Sequence, residues 1–345
     1  MQKDDAMRAP AFGDAEEPRQ TLTAAAASAG EEDEDAQDGG TESAESESDA
    51  DAAQGEAVSD AGHAEGLVTG EEPAAEREER PPLIFPLSYW VPLKELREHI
   101  PFLLEHGLHA EVVLADTAYN GEISIRDLER LAIELRRNKI KVVAHLPYHD
   151  LKLASHDRMI LQHSLDAIQE GLEIGKILGA RVAVFHSGYS NHVRPDETEW
   201  WIERCVLGLE DLVSRAREEE VIVALENTWE SDETVITRLF EAVESPWLRF
   251  CCDVGHAACF SQFAPEEWIV QFRERIVNLN FHDNDGMEDQ HLACGAGVVG
   301  FDVVCETVRE ELTEPVNVTL EVRKEDLEPS IKHLEECGLQ FERSS

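Results

Sequence analysis

Eight short apolar runs alternate with longer amphipathic stretches in this 345-residue chain, and this alternation constrains its fold more than any other feature. The runs are nearly continuous in apolar character and rich in β-branched residues, as the buried strands of a parallel sheet are. They are Leu83–Trp90, Ala110–Ala115, Lys141–Leu146, Arg181–His186, Val221–Glu226, Leu248–Asp253, Ile276–His282 and Val316–Val322.

The stretches between the runs have the period of helices with one apolar face. They are Leu93–His106, Ile125–Arg137, His156–Leu178, Glu197–Glu219, Asp232–Val243, Pro265–Glu274, Asp302–Glu311 and Lys324–Cys337. Eight strand–helix units predict an α/β fold of the (β/α)8 TIM barrel type. The alternative is an open doubly wound sheet, which usually has fewer strands and a glycine-rich first turn. No GxGxxG follows the first run, so the barrel is favoured.

The first 80 residues differ from the rest in composition. From Gly13 to Arg80 they hold few large apolar residues and consist mainly of Ala, Gly, Ser, Thr and acidic residues. Such a segment cannot bury enough surface to offset the entropy that folding costs. We therefore predict a disordered acidic low-complexity tail over residues 1–80 and one barrel domain over residues 81–345, with Pro81 and Pro82 at the boundary.

The chain is strongly acidic, with 73 Asp and Glu against 30 Lys and Arg and a formal net charge of −43 at pH 7. Nucleic acids and anionic membranes attract clustered Lys and Arg, so the charge balance excludes a general binder of either. An acidic surface with few lysines instead predicts a halophilic protein, because strong screening weakens self-repulsion. The alternative is an ordinary acidic protein from a genome that favours arginine.

Three absences in the sequence concern the location of the protein. No apolar stretch reaches the roughly 18 residues of a membrane span, and the amino terminus lacks the basic-then-apolar pattern of a signal peptide. The seven cysteines form no CxxC pair and lie mostly in apolar runs, as buried reduced thiols do. We therefore predict a cytoplasmic enzyme.

Ionisable residues end six consecutive predicted strands. Because barrel active sites lie at the carboxyl ends of the strands, these side chains are expected to face one another. One histidine in such a position would most often be a hydrogen-bonded core residue, but six equivalent positions predict a site for a divalent metal, which would also offset their buried charge. The six residues are His145, His186, Glu226, Asp253, His282 and Glu321.

Three further residues extend this ring. His256 follows Asp253 by three positions, and Asp289 and His291 form an Asp-x-His pair in the loop after the seventh strand. Alone, Asp289 and His291 would be ordinary surface residues of an acidic protein, but beside the ring they indicate a separate metal position. Candidate substrate contacts are Tyr148, Asn227 and Asn284.

The ordered set of motifs resembles the xylose isomerase-like barrels, the superfamily that includes endonuclease IV and many sugar phosphate isomerases and epimerases. The resemblance covers nearly all of residues 83–338, and the set is specific for the superfamily but not for one reaction. The segments are His145-Leu146-Pro147-Tyr148, His186-Ser187-Gly188, Leu225-Glu226-Asn227, Asp253-Val254-Gly255-His256, His282-Asp283-Asn284-Asp285-Gly286, Asp289-Gln290-His291-Leu292 and Leu320-Glu321.

The resemblance implies three metal positions. The position shared by hydrolases and isomerases would use Glu226, Asp253, His282 and Glu321. A second metal would bind His145 and His186, with Glu226 as a bridge. The third, as in endonuclease IV, would bind His256, Asp289 and His291. All nine positions of that set are filled here, whereas ketose epimerases use one metal. Zinc is the expected metal, with manganese or magnesium as alternatives.

Two features of this sequence differ from those of relatives in the superfamily. Cys294 lies in a loop where relatives usually have proline before the first glycine, which makes it a core filler or a substrate contact. No Arg-rich loop that could grip duplex DNA is present, since the richest candidates, Arg136-Arg137 and Arg273–Arg275, fall on or at the end of predicted helices. We therefore expect a small phosphorylated or sugar-like substrate rather than extended duplex DNA.

Two mechanisms and one non-catalytic role remain open. A hydrolase would use the metal cluster to polarise a phosphoryl oxygen, activate water and stabilise the leaving oxygen. An isomerase or epimerase would use one metal, with Glu226 and Glu321 as the acid/base pair. A barrel that binds metal without turnover is the third reading. We favour the hydrolase, because the isomerase leaves five metal-binding residues without a task.

Overall fold

The structure is a computed structural model that describes residues 81–115 and 124–342. The tail predicted for residues 1–80 lies outside the described residues, as do residues 116–123 and 343–345. Within the described part, eight parallel strands close into a barrel with helices outside it, which confirms the predicted (β/α)8 TIM barrel. The barrel closes because β1 pairs with both β2 and β8.

Each barrel strand pairs in parallel with the next one along the chain. The strands are β1 (Ile84–Pro92), β2 (His109–Val113), β3 (Val142–His145), β4 (Val182–Phe185), β5 (Ile222–Glu226), β6 (Leu248–Asp253), β7 (Ile276–Phe281) and β8 (Asn317–Leu320). Each strand begins and ends within two residues of the corresponding predicted run.

The helices lie between successive strands and bury one face against the sheet. They are α1 (Leu96–His106), α2 (Ile125–Arg137), α3 (Arg158–Leu178), α4 (Thr198–Glu219), α5 (Thr234–Ala242), α6 (Val254–Phe260), α7 (Pro265–Phe272), α8 (Phe301–Glu311) and α9 (Leu327–Glu336). Helix α2 shows the local logic, since it buries Leu128, Leu131 and Leu135, and the Ser124 hydroxyl accepts the Asp127 N–H at its start.

Strand residues alternate between the helix-facing core and the barrel interior. On β5, Val223 and Leu225 belong to the large apolar core, whereas Ala224 belongs to a small separate cluster with residues of β3, β4 and β6. Glu226 follows Ala224 by two positions and therefore also faces inward. The same alternation directs the ionisable residues at the other strand ends into the barrel mouth.

Two elements were not predicted. The strand β9 (Gln340–Glu342) pairs with the start of β1, but it is three residues long and largely polar, so no periodic signal marks it. The helix α6 occupies the loop after β6 and is capped by the Asp253 side chain, which accepts the His256 N–H at 2.6 Å. None of the helices in residues 81–115 and 124–342 has the length and apolar character of a membrane span.

Candidate metal centre

The carboxyl ends of the strands bring all nine predicted ligands into one mouth of the barrel. Four of them, Glu226, Asp253, His282 and Glu321, are at most 6% exposed, although each carries an ionisable group. His145 is equally buried, and His186 and His256 are half-buried. Their ligand atoms lie within 4.8 Å of one another in overlapping groups, among them His145–His186–Glu226, Asp253–His256–His282 and His282–His291–Glu321. The resemblance divides the same nine residues into three donor sets.

The first donor set consists of His145, His186 and Glu226, whose ligand atoms lie within 4.8 Å of one another. The two Nε2 atoms of His145 and His186 are 3.1 Å apart, and the Nε2 of His186 is 3.3 Å from Glu226 Oε1. The Nδ1–H of His145 donates to Glu111 Oε1 at 2.8 Å. Because this bond fixes the proton on Nδ1, the Nε2 lone pair of His145 points toward the other donors.

The second set lies at the ends of β5 to β8. The Nε2 of His282 is 3.1 and 3.2 Å from the two carboxylate oxygens of Asp253. The Asn280 side-chain amide donates to Glu226 at 3.2 Å and to Glu321 at 2.9 Å, so one amide holds both carboxylates. The ligand atoms of His282 and Glu321 also lie within 4.8 Å of each other, so imidazole and carboxylate donors share this part of the mouth.

The third set consists of His256, Asp289 and His291. One oxygen of Asp289, Oδ2, lies 3.3 Å from the Nε2 of His256 and 3.2 Å from the Nε2 of His291. Each ring donates its other N–H to a backbone carbonyl, His256 to Asn227 at 3.0 Å and His291 to Glu321 at 2.7 Å. Both imidazoles therefore direct Nε2 at the same carboxylate. A protonated Nε2 donates to Asp289 without metal, and a deprotonated Nε2 there could bind a metal.

The loop that carries Asp289 and His291 is organised by the buried side chain of Asp283. Its carboxylate accepts N–H groups from Gly295, Gly297 and Val299 at 2.8 to 3.0 Å. His291 has a φ of +50°, in the left-handed region that non-glycine residues rarely adopt. This conformation turns the imidazole of His291 back into the mouth, where its ring stacks on that of His282 at 4.1 Å.

Close packing also fixes the His282 ring. A Cβ atom at residue 255 would overlap the ring atoms of His282, so only glycine fits there. Gly255 thus allows α6 to approach β7 and brings His256 beside His282.

The two glutamates of the centre differ in their readiness to ionise. Burial opposes ionisation of Glu226, but the charge and hydrogen bond of His186, with further help from His256, hold the pKa of Glu226 well below its usual value. Burial raises the pKa of Glu321 well above its usual value, and the negative charges of Glu111 and Asp253 add to this effect. Glu321 therefore takes up a proton more readily than Glu226.

The pKa values of His256 and Asp289 shift in opposite directions because the two side chains pair with each other. Burial lowers the pKa of His256, but the charge of Asp253 and the hydrogen bonds to Asp289 and Glu226 outweigh burial and raise the pKa well above the usual histidine value. Burial raises the pKa of Asp289, but the hydrogen bonds of His256 and His291 outweigh it and lower that pKa strongly. In the absence of metal, protonated imidazoles supply the positive charge that these carboxylates require.

Several observations fit divalent cations to this mouth. No Lys or Arg is buried anywhere in the described ranges, although four carboxylates are buried together, those of Glu111, Glu226, Asp253 and Glu321. The Nδ1 of His282 is buried without a hydrogen-bond partner, and two Nε2 atoms face each other in the first set. The imidazole and carboxylate donors suit zinc, and a cation would satisfy all these groups at once.

The three candidate substrate contacts have different environments. Tyr148 lines the mouth. Asn227 and Asn284 are buried, and their amides are used inside the protein, since Asn227 bonds both backbone groups of Asp253 and Asn284 donates to the Gly255 carbonyl. We therefore correct the expectation for the two asparagines, which hold the strand-end loops together. Cys294 is 4% exposed and packs in the core, which agrees with the filler role and not with a substrate contact.

Two residues of the centre were missed in the sequence. Glu111 lies within an apolar run on β2, and besides His145 its carboxylate accepts from Asn278 and Thr319 at 3.0 and 2.6 Å. Asn280 is an interior residue of β7 and carries no ligand signature. The alternation of inward-facing positions was the signal that could have identified both, because Glu111 and Asn280 are polar residues at inward-facing positions of buried strands.

The mouth opens into a cavity of about 660 Å³. Donors from all three sets line it, together with Tyr89, Trp90 and Tyr148. Arg323 and Lys324, which follow β8, supply positive charge at its rim, and Glu95 and Glu325 lie close by. This volume is that of a pocket for a small molecule.

The fold and the mouth define a TIM barrel with clusters of residues that could bind metal ions. A family model described as "Xylose isomerase-like TIM barrel" matches residues 107–337. The chain therefore belongs to the xylose isomerase-like TIM barrel family, which confirms the resemblance seen in its sequence.

Individual proteins are also similar to this chain. The chain is 26% identical over 223 residues to the uncharacterized protein MJ1311 of Methanocaldococcus jannaschii, which covers 60% of this chain and 73% of that protein. Among solved structures, the TTHB071 protein of Thermus thermophilus, soaked with ZnCl2, is 30% identical with a TM-score of 0.63, covering 73% of this chain and 97% of that one. A D-tagatose 3-epimerase-like protein shares the fold at 22% identity and a TM-score of 0.64, covering 72% and 96%.

Proposed function

We propose that this protein is a divalent-metal-dependent phosphoesterase that hydrolyses a small phosphorylated, sugar-phosphate-type substrate at a centre of three metal ions. The observation that carries the proposal is the third donor set, in which His256 and His291 direct their Nε2 atoms to one oxygen of Asp289. A reaction that needs one metal would give these three residues no task.

Bound metal ions would polarise the phosphoryl oxygens, activate water and stabilise the leaving oxygen. The residues of the chain would position these ions and the substrate. Glu226 would bridge the first two positions, since its Oε1 faces His186 and its Oε2 is held by Asn280. Glu111 would fix the ring of His145. Arg323 and Lys324, at the rim of the same cavity, would attract the phosphoryl group toward the metal positions.

The dimensions and charge of the mouth favour a small substrate over duplex DNA. The cavity of about 660 Å³ fits a metabolite. Arg136 and Arg137 lie in the last turn of α2 and Arg273 directly follows α7, on helices outside the barrel mouth. The strongly acidic chain would also repel a polyanion.

Zinc is the metal that we propose. Histidine and carboxylate donors suit it, and the similar TTHB071 protein was soaked with ZnCl2. All seven cysteines are free, which supports the proposal that the protein works in the reducing cytoplasm.

A metal-dependent sugar or sugar phosphate isomerase or epimerase is the second candidate. It is favoured by Asn280, which holds Glu226 and Glu321 with one amide and so keeps two carboxylates near one substrate position. One of them would remove a proton and the other would return it. The two candidates agree on the second donor set and differ over the third.

Metal counting and turnover of one set of variants would test the proposal. We expect three metal ions per chain and phosphoester hydrolysis with bis(4-nitrophenyl) phosphate. Glu226→Gln should abolish turnover under either candidate. His291→Ala should lose one metal and at least about a hundredfold in turnover, because a metal that stabilises phosphoryl charge contributes several kcal/mol.

The control variant is His192→Ala, which removes an exposed histidine outside the three donor sets. It should keep full metal content and turnover. Proton exchange into ketose substrates in D₂O, followed by NMR, would report the second candidate. Full metal content and activity in His291→Ala, together with such exchange, would refute the phosphoesterase and support the epimerase.

A further inference from the structure

A second cavity, of about 450 Å³, adjoins the metal centre on the side of His256 and Asp289. It shares Tyr148, His186, His256 and Asp289 with the mouth, so it is continuous with the candidate centre. Its remaining lining residues are Thr228, Trp229, Phe260, Met287 and Glu288. We call this space the aromatic pocket.

Ring side chains form a continuous path from the surface to the metal centre in this pocket. Trp229 lies against Phe260 with ring centroids 3.9 Å apart and planes inclined by 30°. Phe260 in turn lies 5.9 Å from the His256 ring at 35°. Tyr148 lies 4.7 Å from the His186 ring at 31°. The pocket therefore offers ring faces of Trp, Phe and Tyr directly beside two of the candidate ligands.

The apolar residues at the outer end of the pocket are unusually exposed. Trp229 is 41% exposed and Met287 is 81% exposed, in a chain with a formal net charge of −43. Exposed apolar residues around a concave site indicate a ligand-binding surface. The two residues come from different loops, Trp229 from the loop after β5 and Met287 from the loop after β7, so the pocket depends on the fold rather than on one segment.

The charges of the pocket determine the orientation of a ligand. Glu288 is the charged residue at its outer end, so a second phosphoryl group would be repelled there. The anionic end of a ligand therefore belongs at the metal centre, and an uncharged group belongs in the aromatic pocket. Stacked rings favour a flat, π-rich group over an aliphatic one.

We propose that the aromatic pocket binds an aromatic ring carried by the phosphoryl substrate, as in a nucleotide or an aryl phosphoester. This inference rests on the proposed function for the position of the phosphoryl group. It adds the class of organic group that the substrate carries and names Trp229 as the residue that selects it.

Equilibrium binding to the zinc-loaded full chain would test the inference without requiring turnover. Phenylphosphonate should bind about tenfold more tightly than methylphosphonate or cyclohexylphosphonate, which corresponds to about 1.4 kcal/mol. Trp229→Ala should abolish this preference and leave methylphosphonate binding unchanged. Trp229→Phe should retain most of it, because the ring face is preserved.

The matched control is Trp200→Ala, which removes a half-buried tryptophan that stacks on His156 and lines a different cavity. It should keep the preference for phenylphosphonate. Adenosine 5′-monophosphate compared with ribose 5-phosphate would distinguish a nucleobase from a simple aryl group as the natural occupant, since tighter binding of the former is expected only for a nucleobase.

Equal affinity for phenylphosphonate and methylphosphonate in the wild type would overturn the inference. So would a preference that survives Trp229→Ala or disappears equally in Trp200→Ala. Failure of the proposed function would look different, because the ring preference would persist while phosphoesters are not turned over.

Discussion

Replacing Glu111 by glutamine should weaken metal binding without disturbing the ligands themselves. The Glu111 carboxylate is 0% exposed and accepts three hydrogen bonds, from His145, Asn278 and Thr319. A glutamine side chain has one oxygen and one NH₂ group. Because all three partners donate hydrogen bonds, its NH₂ group must face at least one other donor. If the NH₂ group faces His145, the imidazole proton must move to Nε2, which removes the lone pair that faces His186.

The expected magnitude follows from this conflict. Loss of the carboxylate partner of a metal-binding histidine costs about 10- to 100-fold in metal affinity, which is about 1.4 to 2.8 kcal/mol. The loss should fall on the first donor set, His145, His186 and Glu226. The third donor set shares no hydrogen bond with Glu111, so its affinity should not change.

Competition of the purified protein with a chromogenic zinc chelator would measure this effect. Two controls separate it from a general loss of stability. Thr319→Val removes one donor to Glu111 and leaves the tautomer of His145 unchanged, so it should weaken zinc binding by less than about threefold. Glu230→Gln alters another buried carboxylate, one that bonds the Thr228 backbone N–H and does not line the mouth. Unchanged zinc affinity in Glu111→Gln, or an equal loss in Glu230→Gln, would refute the reasoning.

Three further predictions concern pH, salt and the amino-terminal segment. In the metal-free protein, the raised pKa of His256 stabilises the fold below the ordinary histidine pKa of about 6.5, and this stabilisation is lost as the pH rises. The lowered pKa of Asp289 stabilises the fold above about pH 4, and this stabilisation is lost as the pH falls. Thermal unfolding with EDTA should therefore show falling stability on the alkaline side, and saturating zinc should reverse the trend; identical profiles would contradict it. Because the net charge is −43, the melting temperature should rise between low salt and molar KCl, and a flat or falling midpoint would exclude halophilic adaptation. Deleting residues 1–80, which lack apolar anchors, should leave melting temperature and metal content unchanged, and a loss of several degrees would show that the segment binds the barrel.

The barrel and its ring of ligands were predictable because both depend on periodic features. Strand ends occur at regular positions, and parallel strands bring their carboxyl ends together, so Glu226 or His282 could be placed in the mouth without coordinates. Glu111 could not be recognised in this way, because one polar residue in an apolar run has many explanations. Its role depends on which side chain stands opposite it, and His145 is separated from it by 34 residues.

The aromatic pocket escaped prediction for a related reason. Trp229 and Phe260 have no spacing that links them, and they meet because the loop after β5 lies beside α6. The substrate contacts were partly wrong because burial was not foreseen. Asn227 ends a strand beside Glu226, as a contact residue would, but its amide is consumed by the backbone of Asp253.

The loop closed by Asp283 has a consequence for how such a barrel can change over evolutionary time. The candidate ligands at the strand ends cannot be altered without disturbing the barrel wall. Asp289 and His291, by contrast, lie on a loop. The single buried carboxylate of Asp283 holds this loop by accepting three of its backbone N–H groups. If Asp289 and His291 bind a metal as proposed, exchange of this loop would add or remove one metal position and leave the strand-end residues unchanged. The number of metal ions would then depend on one loop, and one barrel could change its type of reaction through a change in that loop.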